Sequence, residues 1–292
     1  MPFPSQTAQA NSTIDFPAKA ASTGSSISPL LRVSEATAWR AARAAETGVL
    51  TSWVVGPSTA DATVGDVIGD YTAAPGGIAD HDPLTSLAAF GRPDLFVSYG
   101  GNGCYISAGT EDVAPYRVFG DTTFRWAGMM NQIGSSDALV AIWTFSTEYN
   151  LYLRPVTGAN RLRVYWQGGT SGNYAVEWNL TGVANDRWLK AAYIVLQRED
   201  NGDSTCTYRL FVAVDGGELT QLTSIQTATG SSLVNNGDGT VTAPITTNGE
   251  DLARMRAFED EGSIHSYAGV VANVLTLAEE RAIYNDLLLE LT

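Results

Sequence analysis

Two histidines, His81 and His265, and two cysteines, Cys104 and Cys206, are the residues of this chain best suited to nucleophilic or metal chemistry. A hydrolytic serine or cysteine needs a base beside it. His81 stands in the turn-like segment Asp80-His81-Asp82-Pro83, and His265 follows Ile264 in an expected strand. Neither has a nucleophile-elbow sequence nearby, so both read as surface or hydrogen-bonded histidines. Cleaving a glycosidic bond takes two carboxyl groups set across it. The densest acidic grouping, Glu259-Asp260-Glu261-Gly262, is contiguous. Adjacent side chains of an extended segment point to opposite faces, so this trio, like Glu250-Asp251, reads as solvated loop. Asn236 with Asp238, and Asp200 with Asp203, offer hard oxygens of the kind calcium takes. Both lie among glycines, where tight turns account for Asn, Asp and Gly through their tolerance of positive φ. The cysteines lack the spacing of a zinc site. They read as two buried thiols, with a disulfide between neighbouring strands as the alternative.

The remaining chemistry is recognition, carried by strands that alternate apolar and polar. Phe124 and Trp126 flank Arg125, and Leu151 and Leu153 oppose Asn150, Tyr152 and Arg154. Leu162, Val164 and Trp166 oppose Arg161, Arg163 and Tyr165, while Val176, Trp178 and Leu180 alternate with Glu177 and Asn179. A period of two buries one face and wets the other. With the apolar parity as core, Arg125, Tyr152, Arg154, Arg163, Tyr165, Glu177 and Arg209 are expected on the water side. Tyrosine faces stack on sugar rings and arginine forks bind carboxylates. Tyr152, Arg154, Arg163, Tyr165 and Glu177 are therefore the candidate ligand-binding residues, and an anionic polysaccharide suits them. The competing reading is plain sheet covering or contact with another subunit.

The elements that must hold this surface follow from the rest of the chain. Its 292 residues are 44% hydrophobic and 16% charged, enough to bury a sizeable core. The net charge of −14 and the lack of a basic run disfavour nucleic acid as the main partner. No signal peptide is read at the start, and no apolar run approaches a membrane span. Residues 1–28 form a Pro-, Ser- and Thr-rich arm without enough apolar side chains to fold alone. Residues 29–91 form a turn-rich lead-in with a helix expected at 34–47, capped by Ser34 and stopped by Gly48. Strands are expected at 50–55, 95–99, 104–108, 122–129, 139–145, 150–154, 161–167, 174–180, 188–196, 205–214, 219–224 and 264–274. Asn235-Asn236-Gly237-Asp238-Gly239 marks a tight turn. A C-terminal helix at 276–289 opens on a capping box of Thr276 and Glu279. The expected class is all-β, an antiparallel sandwich with one helix near each end.

Asp186-Arg187-Trp188-Leu189-Lys190 leads into a buried strand, and Tyr208-Arg209-Leu210-Phe211-Val212-Ala213-Val214 ends at Asp215-Gly216. Tyr267-Ala268-Gly269-Val270-Val271 precedes the terminal helix, and Gly91-Arg92-Pro93 and Gly100-Gly101-Asn102-Gly103 open the region. This pattern, over residues 92–292, resembles the laminin-G-like branch of the concanavalin A-like lectin/glucanase fold, in the form found in phage virion surface proteins. The resemblance implies a jelly-roll sandwich and a non-enzymatic part of a tailed-phage or phage-like particle: a head spike, fibre or decoration protein. The arm would anchor it, with other virion proteins, copies of itself and host-surface polysaccharide as partners, and with no membrane insertion. It implies synthesis in a bacterial cytoplasm and residence on the virion surface. A free lectin module is the alternative, and a polysaccharide hydrolase is a weaker one, because the glucanase signature Glu-x-Asp-x-Glu is missing. No cofactor is expected; calcium enters only because related lectin sandwiches use it.

Overall fold

The computed structural model describes residues 28–54, 65–68, 74–75, 85–87, 92–97, 106–108, 120–131, 140–144, 150–156, 161–167, 173–180, 188–229, 233–244, 253–257 and 264–292. The expected arm at 1–28, apart from Ser28, lies outside them, as do His81, Cys104, Glu250-Asp251 and Glu259-Asp260-Glu261. Two single-turn 3-10 helices, Pro29–Leu31 and Val33–Glu35, lead into helix α1 (Thr37–Ala44). The strands follow as β1 (Val49–Val54), β2 (Gly65–Ile68), β3 (Ala74–Pro75), β4 (Thr85–Leu87), β5 (Arg92–Val97), β6 (Ile106–Ala108), β7 (Thr122–Asn131), β8 (Val140–Thr144), β9 (Asn150–Pro155) and β10 (Arg161–Gln167). After these come β11 (Asn173–Asn179), β12 (Trp188–Asp200), β13 (Thr205–Val214), β14 (Thr220–Gln221), β15 (Ile225–Thr229), β16 (Val234–Asn235), β17 (Val241–Pro244), β18 (Ala253–Ala257) and β19 (Ile264–Val271). Helix α2 (Leu277–Leu291) closes the chain.

All-β antiparallel architecture is what forms. One sheet runs β16-β17-β13-β12-β7-β19-β1-β2, with β14 on β13, β5 on β19 and β4 on β5. The other runs β15-β11-β10-β9-β8-β18-β6-β3. The facing sides of this sandwich carry the apolar parity. Phe124, Trp126, Ile194, Leu196 and Leu210 of the first sheet are buried, as are Leu153, Leu162, Val164, Val176 and Trp178 of the second. Trp178 Nε1 crosses between the sheets and donates to the Gly239 carbonyl at 2.8 Å, which satisfies the indole in a buried setting.

The first sheet is buried on its other face too. There Ala127, Tyr193, Val195, Phe211, Ala213 and Tyr267 pack beneath Leu30, Leu31, Val33, Trp39 and the α2 side chains Ile283, Tyr284, Leu287 and Leu291. This second core explains the unbroken apolar run at 191–196, because a strand covered on both faces has no water side to alternate with.

The two helices close over the sheet, with α2 capping α1 and the lead-in capping α2. The Glu290 carboxylate accepts from the backbone N–H groups of Ala38 and Trp39, each at 2.7 Å. Arg32 Nη2 donates to the Leu291 carbonyl at 2.6 Å, placing a cation at the negative end of α2. Helix α1 is thus shorter than expected, and Ser34 is not its cap. Residue 34 falls in a 3-10 turn, and the N-cap position, Ala36, has no side-chain cap of its own. Gly48 does turn the chain after α1, at φ +82°. At α2 the capping box forms as read: Thr276 Oγ1 accepts from Glu279 N–H, and Glu279 Oε2 accepts from Thr276 N–H.

Several expected strand bounds move. The strand at 188–196 continues to Asp200, and the one at 264–274 stops at Val271. The expected strand at 219–224 shrinks to β14. Strands β2, β3, β4, β15, β16, β17 and β18 were not expected, and each is five residues long or shorter.

Candidate recognition face and buried ion cluster

The outward residues expected on one wet surface divide between two opposite faces. Arg125 and Arg209 belong to the first sheet, and the other five to the second. Arg125 is not exposed at all. Its parity points it under the helices, where it sits beside Val195 on one neighbouring strand and Gly269 on the other. Its Nε and Nη2 donate to the Glu280 carboxylate of α2 at 2.9 and 2.8 Å. Its Nη1 and Nη2 donate to Glu46, just past α1, at 2.8 and 3.0 Å. Arg43 also donates to Glu46, at 2.7 Å. Burial alone would lower the Arg125 pKa, but the hydrogen bonds and charge of Glu280, the nearby Tyr193 hydroxyl and the hydrogen bonds to Glu46 hold it well above the usual value. Two arginines and two glutamates therefore form a cluster without net charge between sheet and helices. Arg209, half-buried, pairs with Glu199 across the strand pair.

On the second sheet the register places the candidates together. Arg163 pairs across with Arg154 on one side and Glu177 on the other, and Tyr165 pairs with Tyr152 and Ala175. Arg163 Nε donates to Glu177 Oε1 at 2.8 Å, its Nη2 donates to the same oxygen, and Arg161 Nη1 donates to Glu177 Oε2 at 3.0 Å. The Glu177 side chain is 6% exposed, against 29% for Arg163 and 33% for Arg161. Burial would raise the Glu177 pKa; the hydrogen bonds from Arg163 and Arg161 outweigh it and hold the carboxyl below its ordinary value. Glu177 thus fixes two arginine heads at the surface. Among the described residues both helices lie on the first sheet, and none packs on this face.

Sequence reasoning left out three arginines that share this face. Arg161 had the same parity as Arg163 and needed only to be counted with it. Arg254 and Arg256 required β18, whose signal was the short alternation Arg254-Met255-Arg256. They pair with Trp143 and Ala141 of β8, which in turn pair with Asn150 and Tyr152 of β9.

The turn carboxylates are engaged within their own turns. Asp238 Oδ1 accepts from the N–H and hydroxyl of Thr240 at 2.9 and 2.7 Å, and those bonds lower its pKa. Asp200 Oδ1 accepts from Gly202 N–H, and Asp203 Oδ1 from Thr205 N–H. Among the described residues no group of three or more His, Cys, Asp or Glu is placed to hold a metal ion. Cys206 is a buried free thiol that accepts from Arg198 Nε at 3.1 Å. The His265 backbone lies in β19.

The site and fold define an antiparallel sandwich with one helix-covered face and one face rich in arginine and tyrosine. No protein-family model matches the chain, and no curated protein matches it. Among solved structures it is similar to the botulinum neurotoxin serotype C1 binding domain, at 11% identity and a TM-score of 0.41, over 82% of this chain and 52% of that one. It is also similar to the receptor binding domain of botulinum neurotoxin D, at 11% identity and a TM-score of 0.42, with 82% and 52% covered. The type G receptor binding domain stands at 9% identity and 0.40, with 82% and 51% covered. The chain spans about half the length of these structures, and no residue role is carried over from them.

Proposed function

We propose that this protein is a non-enzymatic carbohydrate-binding module whose ligand lies on the outer face of the second sheet. The observation that carries this reading is the direct cross-strand pair Tyr165–Tyr152, flanked in register by the small residues Ala175 and Ala141. Neighbouring strands are about 4.8 Å apart, comparable with the breadth of one sugar ring, so two adjacent aromatic positions with alanine on either side suit stacked sugars. The Arg163–Arg154 pair lies two residues away along the strands, within reach of the same ligand. Retention on a panel of surface polysaccharides tests this. Tyr165→Ala and Tyr152→Ala are each expected to weaken binding about tenfold, or about 1.4 kcal/mol. Absence of binding by the wild type at high protein concentration would sink the reading.

The setting we infer is the surface of a tailed-phage or phage-like particle, with synthesis in the bacterial cytoplasm and residues 1–28 as the anchor. The coreless composition of that arm and the laminin-G-like pattern of residues 92–292 support it. The 292-residue chain is then expected to sediment with purified particles and the chain lacking residues 1–28 to stay in the supernatant. Co-sedimentation of the truncated form would remove the anchor.

A further inference from the structure

We propose that β15 is a docking edge for a second copy of this chain, which pairs with it antiparallel about a twofold axis. The pairing does not depend on the carbohydrate reading above; one of its consequences does.

A sheet edge is a ready template for another strand, and proteins blunt it by shortness, proline or charge. Among the described strands, the other ends of the two sheets carry these devices. Strands β3 and β16 are two residues long, β3 contains Pro75, and β2 carries Asp66. Strand β15 carries none of them. Its five residues, Ile225–Thr229, hold no charge and no proline, and its partner among the described strands is β11 alone. The β11–β15 ladder shifts once, beside Ile225, and is regular from Thr227 to Thr229. Gln226 and Ala228 are exposed, so solvent reaches this edge.

The surroundings are as neutral as the strand. The longest charge-free stretch of the chain runs from Leu219 to Gly237 and contains β14, β15 and β16. The bond from Trp178 Nε1 to the Gly239 carbonyl holds the β15–β11 end of the second sheet against the β16–β17 end of the first. One flank of the sandwich is thereby uncharged across both sheets. It includes Val234, at 54% exposure one of two exposed large apolar side chains among the described residues. The acid in register with β15 is Glu177, opposite Thr227, and Arg161 and Arg163 hold its carboxylate.

Charge and symmetry name the occupant. Two molecules of net charge −14 repel one another, and they approach at least cost where charge is absent. A basic partner has nothing to gain from a neutral flank on an acidic protein. An antiparallel edge is also complementary to itself: a rotated copy of β15 returns the same N–H and C=O groups, the isologous contact that a twofold dimer requires. The axis then stands perpendicular to the sheet. Two eight-stranded sheets join into one, and the Tyr165–Tyr152 pairs of both copies face the same side. From β10 to its counterpart is five strand spacings, about 24 Å. On the carbohydrate reading, the dimer offers two stacking sites to one surface, so the second sugar contact becomes intramolecular.

Sedimentation equilibrium of the 292-residue chain tests the pairing. At micromolar concentrations the mass is expected to rise from 31.0 kDa to twice that value. Added salt screens the mutual repulsion and is expected to tighten the dimer, the reverse of an ion-paired interface. Ala228→Lys and Ala228→Asp are each expected to weaken it about tenfold or more, because either sign buries an unpaired charge at the seam. Leu289→Lys, at the other exposed large apolar side chain, is expected to leave it unchanged. Circular dichroism verifies that each variant is folded. A monomer at every concentration and salt overturns the proposal, as does a dimer that both Ala228 variants leave intact or that Leu289→Lys disperses. Monomeric protein whose Ala228→Lys form no longer sediments with particles gives the edge to a different chain and also overturns it. A dimer that binds no sugar keeps the pairing and removes the carbohydrate reading.

Discussion

Arg125→Ala is expected to lower folding stability by about 3–5 kcal/mol, the cost of leaving a buried charge without its partner. The reason lies in what remains. Glu280 is 0% exposed, and its carboxylate takes two hydrogen bonds from Arg125. Removing the guanidinium strands that carboxylate in an apolar layer between α2 and the sheet. Glu46 loses less, because it keeps Arg43 and is partly exposed. Replacing both charges with apolar residues of similar volume, Arg125→Met with Glu280→Leu, is expected to recover most of the loss, since a well-packed apolar pair often equals a buried ion pair. By contrast Arg163→Ala, on the wet face, removes a part-exposed pair and is expected to cost about 1 kcal/mol or less. Urea unfolding of the four proteins measures this through the shift in midpoint at constant slope. An Arg125→Ala loss below about 1 kcal/mol would contradict a buried charge cluster.

Gly239→Ala is expected to cost about 3 kcal/mol, from two sources of about 1–3 kcal/mol each: backbone strain and overpacking. Gly239 has φ +88°, and a Cβ there would stand 2.3 Å from the Leu222 carbonyl oxygen and 2.5 Å from the Thr223 Cα. Both obstacles are backbone, so relief requires the loop itself to move. Moving it pulls the Gly239 carbonyl from Trp178 Nε1 and leaves a buried indole N–H unsatisfied. Gly237 is the internal control. It shares the positive φ, at +82°, but a Cβ there meets nothing within 4 Å. Gly237→Ala is therefore expected to cost only the conformational term, about 1–2 kcal/mol. Thermal unfolding of the two variants separates these costs. Equal melting temperatures would show that the contact with Leu222 and Thr223 is not a constraint.

The sheets were legible because their strands alternate, and the capping box at α2 because its two residues carry a specific reciprocal geometry. Arg161–Gln167 and Thr205–Val214 have the bounds the pattern gave. The misreading of Arg125 has a definite cause. Periodicity reports that two faces differ, and it assigns the polar one to water only if nothing else covers it. In β7 that face reads Thr123, Arg125, Ala127, Met129, a mixture with enough apolar character to support a second layer. The evidence for such a layer lay elsewhere, in the continuous apolar runs at 191–196 and 267–271 and in the amphipathic helix that follows. Ser34 failed as a cap for a similar reason. Its replacement, Glu290, is distant in sequence, and no local pattern names it. On the candidate face, the pairing of Tyr165 with Tyr152 and of Arg163 with Arg154 depends on register, which alternation alone does not set.

The position of β19 bears on how the protein is made. It lies between β7 and β1 in the first sheet, so these earlier strands lack their neighbour until residues 264–271 have left the ribosome. Until then one edge of β7 is unpaired, and Ala127, Tyr193 and Phe211 have no α2 to cover them. Pairings this distant form slowly, and waiting strand edges are the places where nascent chains associate wrongly. The nascent protein therefore passes through an interval in which its most apolar strands depend on chaperones or on dilution, and arrival of β19 and α2 ends that interval in one step.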